Sequence, residues 1–240
     1  MSYRSNFLPY VAAALLIQPL AACSSEQSST NAAVAAAAEP VKDAVAPQPA
    51  ADSKLILAFG DSLYAGYGVP AADSFPSELQ KALIARGLAV TVDNAGVSGD
   101  TTSAGRRRLA FVLDGISRKP DLVLVNLGGN DMLRGVDPAE TRANLTAICE
   151  ELKRRGIPIM LTGMVAAPNL GDEYADAFNP IYPDLAKRFD AALYPFFLDG
   201  VIGVPGLMLP DRVHPSPAGI DRIVARVAPI VADELGDKPA

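Results

Sequence analysis

Apolar residues in this chain alternate between short unbroken runs and longer stretches with spaced positions. Five short runs read as strands: 54–59 (KLILAF), 88–94 (LAVTVDN), 121–127 (DLVLVNL), 157–162 (IPIMLT) and 196–199 (FFLD). Between them, roughly 74–86, 102–117, 138–155 and 178–192 carry apolar positions at helical spacing, and a last such stretch covers 217–234. Strand then helix, five times over, predicts a five-stranded parallel sheet with helices on both faces. Burial on both sides explains why LVLVNL is almost continuously apolar rather than alternating. In open sheets of this kind ligands collect at the carboxyl ends of the strands.

The residues ahead of this pattern read as an address and a spacer. Arg4 precedes an apolar stretch from Phe7 to Ala22 that Gln18 and Pro19 interrupt, too short to span a bilayer. Residues 1–22 are therefore expected to be a signal peptide. The run Leu20-Ala21-Ala22-Cys23 resembles the lipobox of bacterial lipoproteins, whose cysteine is acylated and becomes the first mature residue. That resemblance implies an exported protein, anchored to the membrane by lipid on Cys23 in the bacterial cell envelope and facing the periplasm. Residues 23–53 are rich in Ala, Ser and Pro and contain no aromatic residue, so they have little to bury and read as a flexible tether. As a coil they would span on the order of 30 Å. The folded domain is expected over 54–236, with 237–240 as a C-terminal tail.

Composition narrows the function. Roughly 190 residues beyond the tether suffice for one well-buried core. A formal net charge of -6 leaves no basic footprint, which excludes nucleic acid as a partner. The clusters Arg106-Arg107-Arg108 and Lys153-Arg154-Arg155 read as solvated helix faces. With Cys23 acylated, Cys149 has no disulfide partner and reads as a small buried apolar residue. A single histidine and one spare cysteine make no metal set, so neither metal nor cofactor is expected. A monomer is expected.

The turns at the strand ends carry the chemistry. Strand one runs into Gly60-Asp61-Ser62-Leu63, strand two into Asn94 through Asp100, strand three into Gly128-Gly129-Asn130-Asp131, and Asp211-Arg212-Val213-His214-Pro215 follows strand five. Each alone is ordinary turn composition. Together they put complementary groups on one rim of the sheet. A serine hydroxyl needs a base, and His214 is the only histidine, so Ser62 as nucleophile makes His214 its partner. Asp211 is near enough in sequence to orient the imidazole through its other nitrogen. Pro210 and Pro215 stiffen this loop, and Ser216-Pro217 looks like an N-cap and first-turn proline opening the last helix. Three donors suit an oxyanion: the backbone N–H groups of Ser62 and Gly99, and the side-chain amide of Asn130.

These blocks, FGDSL, SGDTT, GGND and DRVHP, resemble in order the four blocks of the SGNH or GDSL hydrolases. The likeness is to the thioesterase I, arylesterase and lysophospholipase L1 group and runs from about Lys54 to Glu234. It implies a flavodoxin-like α/β/α fold, a triad of Ser62, Asp211 and His214, and an oxyanion hole of Ser62, Gly99 and Asn130. Gly60-Asp61-Ser62-Leu63-Tyr64 stands where an α/β-hydrolase would carry G-x-S-x-G, which argues against that fold, and Ser98 also lacks the spacing. The segment Met164 to Pro183 occupies the place of the group's substrate loop, matching it in Ala167-Pro168-Asn169 and Ile181-Tyr182-Pro183. Pro168, Asn169, Leu170 and Tyr182 are thus expected to meet substrate. Leu170 stands where relatives often carry tyrosine, a change that bears on acyl-chain preference. The resemblance implies hydrolysis of arylesters, acyl thioesters or lysophospholipids through an acyl-enzyme on Ser62. Two alternatives remain: a cell-envelope polysaccharide O-deacetylase, and a non-catalytic envelope-binding lipoprotein on the same fold.

Overall fold

A computed structural model describes residues 53–236 of the chain. The expected signal peptide 1–22, Cys23, the expected tether up to its last residue and the expected tail 237–240 lie outside the described residues. Five parallel strands, β1 (Lys54–Gly60), β2 (Val90–Gly96), β3 (Leu122–Asn126), β4 (Ile159–Thr162) and β5 (Ala192–Tyr194), form one sheet in the order β2-β1-β3-β4-β5. This is the flavodoxin-like order, in which the chain steps outward from β1 to β2 and then returns past β1 to β3. Helix α2 (Phe75–Ala85) packs against α8 (Pro217–Glu234), while α3 (Thr102–Gly115) packs against α5 (Pro138–Arg154) and α5 against α7 (Ile181–Phe189). The two groups cover opposite faces. Every residue of β3 is buried, as is every residue of β1 after Lys54. Short helices α1 (Ser62–Ala65), α4 (Gly129–Leu133) and α6 (Asp172–Phe178) complete the set.

The first four expected strands are present with ends moved by one or two residues, but the fifth is displaced. The run 196–199 is not a strand; β5 is Ala192–Tyr194, on the edge of the sheet. An edge strand of three residues, two of them half-buried, is too short to stand out from the apolar residues that follow it. Phe197 and Leu198 are buried as core plugs in the turn that follows. The stretch read as one helix over 178–192 divides into α6 and α7, with Pro180 between them and the residues from Asp190 onward leading into β5.

Register brings the chemistry together. Gly60 lies opposite Gly96 on one side and Asn126 on the other, so the loops leaving β1, β2 and β3 begin side by side. Under them sits an aromatic platform: Tyr64 stacks on Phe75 at 4.9 Å, and Phe197 meets the edge of each. The Tyr64 hydroxyl pairs with Thr162 Oγ1 at 2.8 Å, and the Asn126 amide donates to the same hydroxyl at 2.9 Å. Cys149 is fully buried on α5, where burial pushes its thiol up to about 12, as suits a small apolar filler.

Candidate active site

Ser62 opens α1 one residue after β1, at the switch point between β1 and β3 where the strand order reverses. Its Oγ lies 2.9 Å from His214 Nε2. His214 Nδ1 lies 2.7 Å from Asp211 Oδ2, giving an unbroken line from hydroxyl to carboxylate. The loop holding the histidine is tightly made. Asp211 Oδ1 accepts from the backbone N–H groups of Val213 and His214, at 2.9 and 3.0 Å. Arg212 between them takes a left-handed φ of 59°, a strained conformation for a side chain of this size. Leu209 N–H donates to His214 O at 2.8 Å, and Tyr67 lies against the imidazole with ring centroids 4.4 Å apart. Ser216 caps α8, accepting from Gly219 N–H and donating to Gly206 O, and Pro217 starts the helix, so the histidine sits just ahead of a fixed terminus. Partial burial would raise the Asp211 carboxyl, but the donors from His214 and Val213 outweigh it and hold it at about 2. It therefore stays ionised beside the imidazole at neutral pH.

The oxyanion donors converge from three loops. Among the described residues neither the Ser62 N–H nor the Gly99 N–H has a protein acceptor. Gly99 has φ of 84°, a conformation that glycine adopts without strain, in the tight turn beyond β2. Its carbonyl accepts from Arg134 at 2.9 Å. The Asn130 side-chain nitrogen donates to Asp100 O at 3.0 Å and to Asp61 Oδ2 at 3.3 Å. Asp131, next in the chain, is turned away and grips the start of α3 through Thr102.

Two residues here were not anticipated as site components. Arg108 is no solvated helix residue: it pairs with Asp100 at 2.6 Å, donates to Gly60 O at 2.9 Å and lies over the Phe59 ring at 4.1 Å. It fastens the Gly99 loop to the end of β1. Asp61 is buried beside Ser62; burial pushes its carboxyl up to about 6, against the pull of Leu63 N–H, His214 and the Asn130 amide, while Asp100 adds to the rise. Local motif chemistry gave no warning of either, because both depend on neighbours distant in sequence.

The triad opens into a cleft of about 660 Å³ with few polar groups. Its rim holds Tyr67, Leu133, Val165, Ile202 and Val213, five of the eight exposed large apolar residues among those described, so exposed apolar surface is concentrated at this site. Ser98 lines the cleft too, but the imidazole faces Ser62. The expected substrate loop needs correction. Pro168 lines the cleft together with Met164 to Ala167, whereas Asn169, Leu170 and Tyr182 do not. Asn169 and Leu170 follow Pro168 in a 3-10 turn, where Asn169 is exposed and Leu170 packs against the core. Tyr182 is buried, and its hydroxyl donates to Leu127 O at 2.7 Å. That hydroxyl fills the space a Cβ on Gly128 would take, 2.2 Å away, so Tyr182 shapes the Asn130 loop from beneath. Among the described residues no group of three or more metal-binding side chains occurs.

Sheet order and the serine–imidazole–carboxylate line define a serine hydrolase on a flavodoxin-like frame. Residues 58–222 match the GDSL-like Lipase/Acylhydrolase family, and the chain belongs to it. It is 43% identical over 183 residues to an arylesterase of Vibrio mimicus, spanning 76% of this chain and 88% of that one. It is 41% identical to thioesterase 1/protease 1/lysophospholipase L1 of Escherichia coli K12, over 70% of this chain and 77% of the relative. Among solved structures, the SGNH-hydrolase family esterase AlinE4 shares 52% identity with a TM-score of 0.66, covering 79% of this chain and 98% of that one. The protein is an esterase of this family.

Proposed function

We propose that this esterase cleaves carboxylic esters or thioesters of apolar acyl chains, lysophospholipids among them, through an acyl-enzyme on Ser62. The observation that carries the reading is the Ser62–His214–Asp211 line opening on an apolar cleft. His214 Nε2 takes the Ser62 proton as Oγ attacks the carbonyl carbon. The oxyanion that forms is met by the Ser62 and Gly99 N–H groups and the Asn130 amide. Collapse expels the alcohol or thiol, which takes the proton from His214. Water, deprotonated by the same nitrogen, then attacks the acyl-enzyme and releases the carboxylic acid, restoring Ser62. Asp211 holds the imidazole in the tautomer this requires.

An acetyl group would use little of a 660 Å³ apolar cleft, which favours longer acyl chains over acetylated glycans. The test is a set of p-nitrophenyl esters from acetyl to dodecanoyl, run beside a lysophospholipid and an acetylated glycan. The expected outcome is kcat/KM rising with chain length until the cleft is filled, and at least a ~10³-fold loss of kcat in Ser62→Ala. Activity confined to acetyl groups would overturn the substrate assignment; an active Ser62→Ala protein would overturn the nucleophile. We further propose a monomer held by acylated Cys23 at the periplasmic side of the envelope, on the lipobox-like sequence. Absence of Cys23-dependent labelling by a fatty-acid probe in cells would refute the anchor.

A further inference from the structure

Asp61 is a site carboxylate that the reaction above does not use. It is 2% exposed and caps α1, and among the described residues no lysine or arginine forms an ion pair with it. Capping alone does not account for it, since a neutral Asn or Ser caps a helix about as well. An uncompensated carboxylate in such a place is costly to keep ionised.

Its two oxygens hold different elements. Oδ1 accepts from Leu63 N–H at 3.0 Å, on the helix that begins with the nucleophile, and Oδ2 accepts from the Asn130 amide at 3.3 Å. The Asn130 nitrogen also donates to Asp100 O at 3.0 Å, so the hydrogen on the longer bond to Asp61 is the one shared with an oxyanion as it forms. With acceptors on both sides, the amide cannot turn over, because its own oxygen would then face two oxygens. Arg108 fastens Asp100 in turn. One carboxylate thus spans the nucleophile's helix and the amide donor.

We propose that Asp61 is a positioning residue of the esterase site: its carboxylate locks the Asn130 amide nitrogen toward the cleft and ties it to the helix that carries Ser62. The proposal rests on the esterase mechanism above. The charged and titratable groups facing Asp61 are His214 from the loop before α8, Asp100 from the loop after β2, Tyr64 on α1 and Tyr182 on α7. His214 draws the carboxyl down, whereas burial and Asp100 push it up, to about 6. Ionised, it accepts from both donors. Protonated, it gives up part of that capacity to a hydroxyl.

Asp61→Asn keeps the shape but can accept from only one of the two donors, turning an NH₂ on the other. The experiment measures kcat and KM for p-nitrophenyl butyrate at pH 8 in the wild type, Asp61→Asn, Asn130→Ala and the double variant. Rates are referred to sites titrated with a fluorophosphonate, so a misfolded fraction does not enter. The expected result is a kcat lowered about 10- to 100-fold by Asp61→Asn with KM changed less than about threefold, and a loss below about threefold when Asn130 is already Ala. The wild-type to Asp61→Asn ratio is also expected to shrink from pH 8 to pH 5, where the wild-type carboxyl protonates; each protein is referred to its own fitted pH profile, so the coupling between Asp61 and His214 does not enter. Equal losses in both backgrounds, an unchanged or raised kcat, or a ratio constant across that range each overturn the proposal. Failure of the esterase mechanism itself would appear elsewhere, as wild-type turnover that Ser62→Ala leaves intact.

Discussion

Two aspartates within the site answer pH in opposite directions. Asp211, held at about 2, lies below the ordinary 3.8, so its stabilising contribution is complete above about pH 4 and is lost as pH falls toward 2. Asp61, at about 6, lies above that value. The fold disfavours its charge, so its effect on stability is most favourable below about pH 4 and declines as pH rises through 6, by about 3 kcal/mol at the limit. Asp61→Asn is therefore expected to unfold about 6 to 12 °C higher than the wild type at pH 8, with the gap closing at pH 4, by scanning calorimetry at both values. A lower midpoint at pH 8 would mean the carboxylate contributes more through its hydrogen bonds than it costs. Gly99 presents a different case. A Cβ there meets only ordinary contact with Arg134 at 3.6 Å, but φ of 84° is strained for alanine. Gly99→Ala should lower kcat at least ~10-fold while costing about 1 kcal/mol of stability, since a small rotation misdirects the N–H; kinetics beside urea unfolding separate the two.

Among elements, those buried on both faces were the most readable. β1 and β3 are continuous apolar runs because the sheet covers them on both sides, and that signal survives without any knowledge of the partners. β5 sits at the edge, three residues long with two of them half-buried, and the nearby 196–199 run is apolar for a different reason, as packing after the strand ends. Tyr182 shows the same limit within a helix. It lies on α7 where the loop was expected to meet substrate, yet it supports the Asn130 turn from below through Leu127 O. Tyr182→Phe is expected to cost about 1 to 3 kcal/mol in thermal or urea unfolding while leaving the acyl-chain preference unchanged. A changed chain-length profile would return Tyr182 to the cleft. The cap of α8 was legible from Ser216-Pro217 alone, because capping is a local device.

For the whole molecule, every group of the site lies between Asp61 and His214, inside the described domain. A chain beginning at Ser53 should keep kcat/KM on soluble esters within about twofold, provided Ser53 remains, since its carbonyl accepts from Arg118; the comparison is a single assay of both proteins. The sequence by itself determined the layered parallel fold and the four polar turns at the strand ends, because hydrophobic period and turn chemistry are written in neighbouring residues. It also singled out Ser62 and His214 as partners, through the scarcity of imidazoles. Only the tertiary structure decided that they meet across 152 positions, that Arg108 braces the Gly99 loop and that Tyr182 turns inward. The ionisation of Asp61 belongs to the same category. Burial, hydrogen-bond partners and local charge are set by groups far away along the chain, and no window of sequence contains them.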